Sequence, residues 1–245
     1  MNSFRHLWMT GVVSAALLAG CAAPPGKPSK DSETLAPDQI MDFAVLYAEN
    51  CAACHGPDGR GGAAIALGNP VYLAIADDAA IRTVTTSGVG GTSMPAFAQS
   101  AGGMLTDKQI EVIVSGIRSR WSKPGILQGS NPPSYENLLK SPGNATQGAL
   151  VFKTYCESCH GPGGRGGPKG SAITNPSFLA LVSNQGLRTV VITGRPELGA
   201  PDWRADIAGK PMSEQEITDV VAWLASQRTQ SVAQPSSSAS NDAHH

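Results

Sequence analysis

Aromatic residues are scarce in this chain: five Phe, four Tyr and four Trp make up 5% of its 245 residues. Any core is therefore short of large rings, yet 41% apolar residues are too many for a disordered polymer. The formal charge is only −1 and no block of Lys and Arg occurs, which excludes an electrostatic nucleic-acid binder. The apolar stretch Leu7–Gly20 falls short of the ~20 residues that a membrane-spanning helix needs. Glycine-rich loops are present, but without the strand–loop–helix context and the Lys-Ser/Thr ending of a phosphate cradle. No paired carboxylates and no activated nucleophile stand out. Length suits two domains of about 100 residues each.

Cysteine is sparse too, at five residues, and each of the five has a place. Cys51-Ala-Ala-Cys54-His55 and Cys156-Glu-Ser-Cys159-His160 are two copies of Cys-x-x-Cys-His, the haem c attachment signature. Its two thiols add to the vinyl groups of a haem, and the adjacent His reaches the iron. A redox dithiol is an alternative, but that motif expects flanking strands, and a helical pattern precedes each copy here. A Cys₄ zinc site would need both copies to share one metal, against the logic of a tandem repeat. Neither alternative explains the two histidines.

The fifth cysteine ends Leu18-Ala19-Gly20-Cys21, which resembles a bacterial lipobox. Residues 1–20 then form a lipoprotein signal peptide, with Arg5 and His6 in its polar start. Cleavage before Cys21 would leave its sulfur carrying a diacylglycerol, so the chain is anchored to a bacterial membrane and faces the periplasm. An ordinary signal peptide with a stray thiol is the other option. Residues 21–37 serve as a tether.

The second half repeats the first. The motifs match at an offset of 105; after one inserted residue, Asn69-Pro70 matches Asn175-Pro176 and Gly88 matches Gly194 at an offset of 106. Both halves are helical by pattern. Ile40, Phe43, Ala44 and Tyr47 lead into the first motif, and Asn144 caps the matching helix ahead of Val151, Phe152 and Tyr155. Each half closes on a capped helix. Thr106 with Gln109 precedes the stripe Ile110, Ile113, Val114, Ile117, and Ser213 with Glu216 precedes Ile217, Val220, Val221, Leu224. Domain one spans 38–121 and domain two 144–228. A Pro/Gly-rich, semi-rigid linker fills 122–143 and a Ser-rich, disordered tail fills 229–245.

Helix, Cys-x-x-Cys-His-Gly, Gly-rich loop, helix, then Met-Pro-x-Phe and a capped C-terminal helix together resemble class I cytochrome c. The likeness is to the small bacterial domains found in subunits of haem–copper oxidases. It implies an all-α fold of two tandem cytochrome c domains and two covalently attached haems c. It also implies His55 and His160 as proximal iron ligands and Met94 as the distal ligand of the first haem. The second half departs from the pattern: Ala200 stands opposite Met94. Met212 is a substitute on paper, but it aligns with Leu105 just before the last helix, where both look like hydrophobic staples against Ile217 and Ile110. Lys210 would have to lose its proton to serve.

The implied role is periplasmic-side electron transfer between redox proteins: a quinol-oxidising complex, a periplasmic dehydrogenase or a terminal oxidase. No small-molecule substrate is expected. Two rivals stay open: a peroxidase-like enzyme or small-ligand binder at an open second haem, and a fixed subunit of a respiratory assembly.

Overall fold

Helix caps set the architecture. The computed structural model describes residues 35–230 apart from positions 138, 140, 206 and 208. Cys21, the signal peptide and most of the tether and tail lie outside the described residues.

The first half contains α1 (Phe43–Asn50), α2 (Ala52–His55), α3 (Pro70–Ile75), α4 (Asp78–Ser87) and α5 (Asp107–Trp121). The second repeats the order with α6 (Ala145–Tyr155), α7 (Glu157–His160), α8 (Pro176–Leu181), α9 (Asn184–Thr193) and α10 (Glu214–Gln230). Among the described residues the only β features are two isolated bridges, Ala98–Leu105 and Arg195–Ala200. The fold is all-α, as the periodicity predicts. α10 runs two residues past the end expected for domain two.

Short polar side chains start nearly every helix by accepting from otherwise orphaned N–H groups. Asp42 accepts from Val45 N–H, and Asn144 from Thr146 and Gln147. Asn69 and Asn175 cap α3 and α8, each followed by Pro at the first helical position. Thr106 and Gln109 form the capping box expected for α5, and Ser213 and Glu216 form its counterpart at α10.

The apolar stripes of the closing helices are the cores. Ile110, Ile113, Val114 and Ile117 are each about 1% exposed, and Ile217 and Val220 are equally sealed. Each such side chain contributes about 1.5–3 kcal/mol by leaving water. Among the described residues, the α6–α10 crossing is the largest contact between helices. There Gly148 lies so near α10 that a Cβ would sit 2.0 Å from the Asp219 carbonyl oxygen.

The halves are joined by more than the chain. Val71 and Ile75 of α3 enter the second half's core, and Asn69 Nδ2 donates to the Thr193 carbonyl at 3.0 Å. The linker is packed in place. Tyr135 lies edge-on to Tyr72, and the buried Arg188 donates to the Ser134 and Tyr135 carbonyls while pairing with Glu214. From Ile40 onward both halves and the linker cluster as one unit.

Candidate haem sites

Each Cys-x-x-Cys-His motif sits where two helices meet end to end. Cys51 closes α1, donating its N–H to the Tyr47 carbonyl, and begins α2, which ends at His55. Cys156 does the same between α6 and α7, which ends at His160. One turn of helix therefore brings both sulfurs and the imidazole of each motif to one end of the half.

The backbone then reverses sharply. Gly56 and Gly161 have φ of +84° and +73°, and a Cβ at Gly56 would stand 1.7 Å from the Arg60 carbonyl oxygen. Gly62 and Gly167 return against the motif, where a Cβ would meet the carbonyl oxygens of Cys54 and Cys159 at 2.1 and 2.6 Å. Glycine is required at these positions because the loop approaches the motif's own backbone.

That returning loop orients the histidines. His55 Nδ1 lies 2.7 Å from the Ile65 carbonyl oxygen, and His160 Nδ1 lies 2.8 Å from that of Ser171. The residue inserted between the halves falls within this loop, and the bond survives it. A carbonyl can only accept, so Nδ1 carries the proton and Nε2 keeps its lone pair. His55 is 8% exposed, and its Nε2 is buried with no hydrogen-bond partner. Burial holds its pKa below the ordinary imidazole value against the pull of the Ile65 bond, with Arg195 adding to the lowering. A neutral, oriented, unpartnered nitrogen is the donor that an iron ligand requires. His160 is more open than His55.

The first thiol of each motif is held neutral. Burial, with the neighbouring cysteine, pushes Cys51 up to about 12 and Cys156 up to about 11. Redox dithiols depend on the opposite shift. Among the described residues no three His, Cys, Asp or Glu gather where they could hold a metal ion, so the four thiols do not converge as a zinc site would need.

The loops around Met94 and Ala200 share a closing bond. Val89 N–H donates to the Met94 carbonyl at 3.0 Å, and Arg195 N–H donates to the Ala200 carbonyl at 2.9 Å. Gly88 and Gly194, with φ of +68° and +63°, press against these same carbonyls. Ala200 thus occupies Met94's place, and its methyl group has no lone pair to offer. Further on, Leu105 N–H donates to the Phe97 carbonyl and Met212 N–H to that of Trp203. Met212 is accordingly the counterpart of Leu105, and it packs with Trp203 and Ile217 in the core. Lys210 Nζ is engaged with Glu216 at 2.8 Å.

Sequence patterns did not reveal two supports. Tyr47 donates its hydroxyl to the Gly56 carbonyl at 2.9 Å, bracing the first motif, whereas Phe152 stands at the matching position and has no hydroxyl. Arg195 reaches across from the second half and donates from Nη2 to the Gly62 carbonyl at 2.8 Å. The signal was a guanidinium aligned with Val89. Arginines that do recur between the halves, Arg60 with Arg165 and Arg82 with Arg188, are spent elsewhere: Arg60 donates to the Gly68 carbonyl, Arg82 pairs with Glu111, and Arg188 holds the linker.

The family model described as cytochrome c oxidase, cbb3-type, subunit III matches residues 38–115 and again residues 143–224. The cbb3-type cytochrome c oxidase subunit FixP of Sinorhizobium medicae is 29% identical over 150 residues, 55% of this chain and 45% of that protein. The cytochrome bc1 complex cytochrome c subunit of Mycobacterium tuberculosis is 23% identical over 179 residues, 73% of this chain and 60% of that protein. The chain thus spans about half the length of these relatives. A chain of the reducing HAO-like protein complex of Kuenenia stuttgartiensis aligns over 79% of this chain and 99% of its own, with a TM-score of 0.44 and 19% identity.

Proposed function

The chain belongs to the cytochrome c oxidase, cbb3-type, subunit III family, and we propose that it is an electron-transfer protein holding two covalently attached haems c. Haem c, when bound, supplies a one-electron ferric/ferrous couple. Cys51 and Cys54 attach the first haem and His55 binds its iron; Cys156, Cys159 and His160 do the same for the second. Met94 is the first site's distal ligand, a thioether that favours the reduced iron and raises the potential.

One observation carries this reading. Both histidines give Nδ1–H to a backbone carbonyl, and in His55 the remaining nitrogen is buried without a partner. An unsatisfied buried acceptor costs about 1–3 kcal/mol, which iron ligation would recover. The chain's own part is to fix both rings, exclude water from the first, and keep the thiols beside them.

The protein is exported and held at a bacterial membrane by a lipid on Cys21, facing the periplasm. In this reading no span is needed, and among the described residues no helix is long and apolar enough to cross a membrane. Its partners are redox proteins: a quinol-oxidising complex, a periplasmic dehydrogenase or a terminal oxidase. The relatives, subunits of an oxidase and of a bc1 complex, favour a respiratory assembly.

Intact-mass measurement of protein matured in a host with haem c assembly machinery tests the core of this. Two added haems are expected, and bare polypeptide overturns it. Cys21→Ser should release soluble protein; continued membrane retention refutes the anchor.

The place of Ala200 supports a second reading, in which the second haem binds a small exogenous ligand. Carbon monoxide added to the reduced protein should then bind one haem of the two. A protein that ignores it returns both sites to pure relay.

A further inference from the structure

The loop that carries Met94 in the first half does different work in the second. Arg195 stands where Val89 stands, and its side chain leaves its own half. Nη2 donates to the Gly62 carbonyl at 2.8 Å, and Nε pairs with Glu197 at 2.5 Å, with the two side chains only 14% and 17% exposed. Gly62 abuts the first motif: a Cβ there would lie 2.1 Å from the Cys54 carbonyl oxygen and 2.7 Å from the His55 carbonyl carbon. The bond from Asn69 to the Thr193 carbonyl fixes the same seam.

A cation of the second half therefore ends on Gly62, three residues before the Ile65 carbonyl that holds His55. Arg195 thus touches the loop between His55 and Ile65, whose carbonyl orients the imidazole. The relation is not mutual, because Val89 offers no charge from the first half's equivalent loop.

We infer that Arg195 is a positioning residue of the first site: with Glu197, it clamps the His55 loop and makes the first haem's potential depend on the second half. This rests on the reading that His55 binds a haem iron. Ferric iron carries one more positive charge than ferrous, so a nearby guanidinium raises the potential and a nearby carboxylate lowers it. The two members of the pair thus pull in opposite directions, and burial limits solvent screening of both.

The test uses full-length, matured protein in an optical redox titration resolved into two waves. The first wave is identified as the one lost in a Cys51→Ala/Cys54→Ala variant. Arg195→Gln should lower the first midpoint and leave the second in place. Glu197→Gln should raise the first midpoint, and Arg195→Lys should restore most of the original value. Shifts of the same sign in Arg195→Gln and Glu197→Gln would mean mere loosening of the seam and overturn the inference, as would an unmoved first wave or equal movement of both. Absence of a haem at Cys51 and Cys54 by mass would fell the functional reading as well. Two haems with an unresponsive first wave would sink only the role of Arg195.

Discussion

Phe43 and Gly116 are a fitted pair across the α1–α5 crossing: a Cβ at Gly116 would lie 2.1 Å from the Phe43 ring. The second half makes the same fit with the partners exchanged. Gly148 stands at the position of Phe43, Trp223 stands at that of Gly116, and a Cβ on Gly148 would lie 2.8 Å from Trp223 Cβ. Each crossing sets one glycine against a helix that carries an aromatic residue, and either helix can supply the glycine. With aromatics so scarce, these crossings hold a large share of each core's bulk.

Gly116→Ala should therefore destabilise despite the roughly 1 kcal/mol that alanine gains in helix propensity. Overpacking costs about 1–3 kcal/mol, so a net loss of about 1 kcal/mol is expected in denaturant unfolding. In a Phe43→Leu background the penalty should shrink, since the ring it collides with is gone. An equal penalty in both backgrounds would show that the ring is not the obstacle.

Met94 and Ala200 set up the sharpest contrast between the halves. Met94→Ala should lower the first haem's potential and open it to carbon monoxide. Ala200→Met starts from a carbonyl held by the same bond as Met94's, so its thioether should ligate, raise the second haem's potential and abolish carbon monoxide binding there. Met212→Leu should leave the second haem's spectrum unchanged, because Met212 is a core residue. A changed spectrum would return Met212 to the list of ligands.

Arg188 is only 3% exposed and satisfies both linker carbonyls and Glu214. Its truncation would leave the Ser134 carbonyl without its donor and Glu214 without its charge partner, while Gln185 would still donate to the Tyr135 carbonyl. Arg188→Ala should cost about 3 kcal/mol and speed protease cleavage near Tyr135. Unchanged cleavage would mean that Tyr72 and the core hold the linker by themselves.

Much of this was legible in the residues. The motifs, the duplication and both capping boxes depend on local spacing, and local spacing is what a sequence displays. Ala200 was legible because the repeat supplies an internal ruler. The function of Arg188 was not: its partners Ser134 and Glu214 are far along the chain, and a recurring arginine looks the same whether solvated or buried. The linker's proline content suggested a spacer, whereas Tyr135 and the apolar Ile126 and Leu127 give it faces to bury. Arg195 was invisible for a related reason. Its target is a backbone carbonyl in the other half, which leaves no mark on residue type.

Acid should loosen the seam between the halves through Glu197. Burial alone would push this carboxyl up, but the Arg195 bond and backbone N–H groups outweigh it and hold it below the ordinary value of 4.5. A carboxyl with a lowered folded-state pKa adds stability that is full above its unfolded value and fades as pH falls through the folded one. The contribution should thus be intact at neutral pH and decline below about 4.5. Other carboxylates titrate in the same window, so the measurement is a difference: unfolding free energy of the parent minus that of Glu197→Gln, followed down in pH. That difference should narrow with acid. A gap that held constant to low pH would show that Glu197 stabilises the seam by packing and not by its charge.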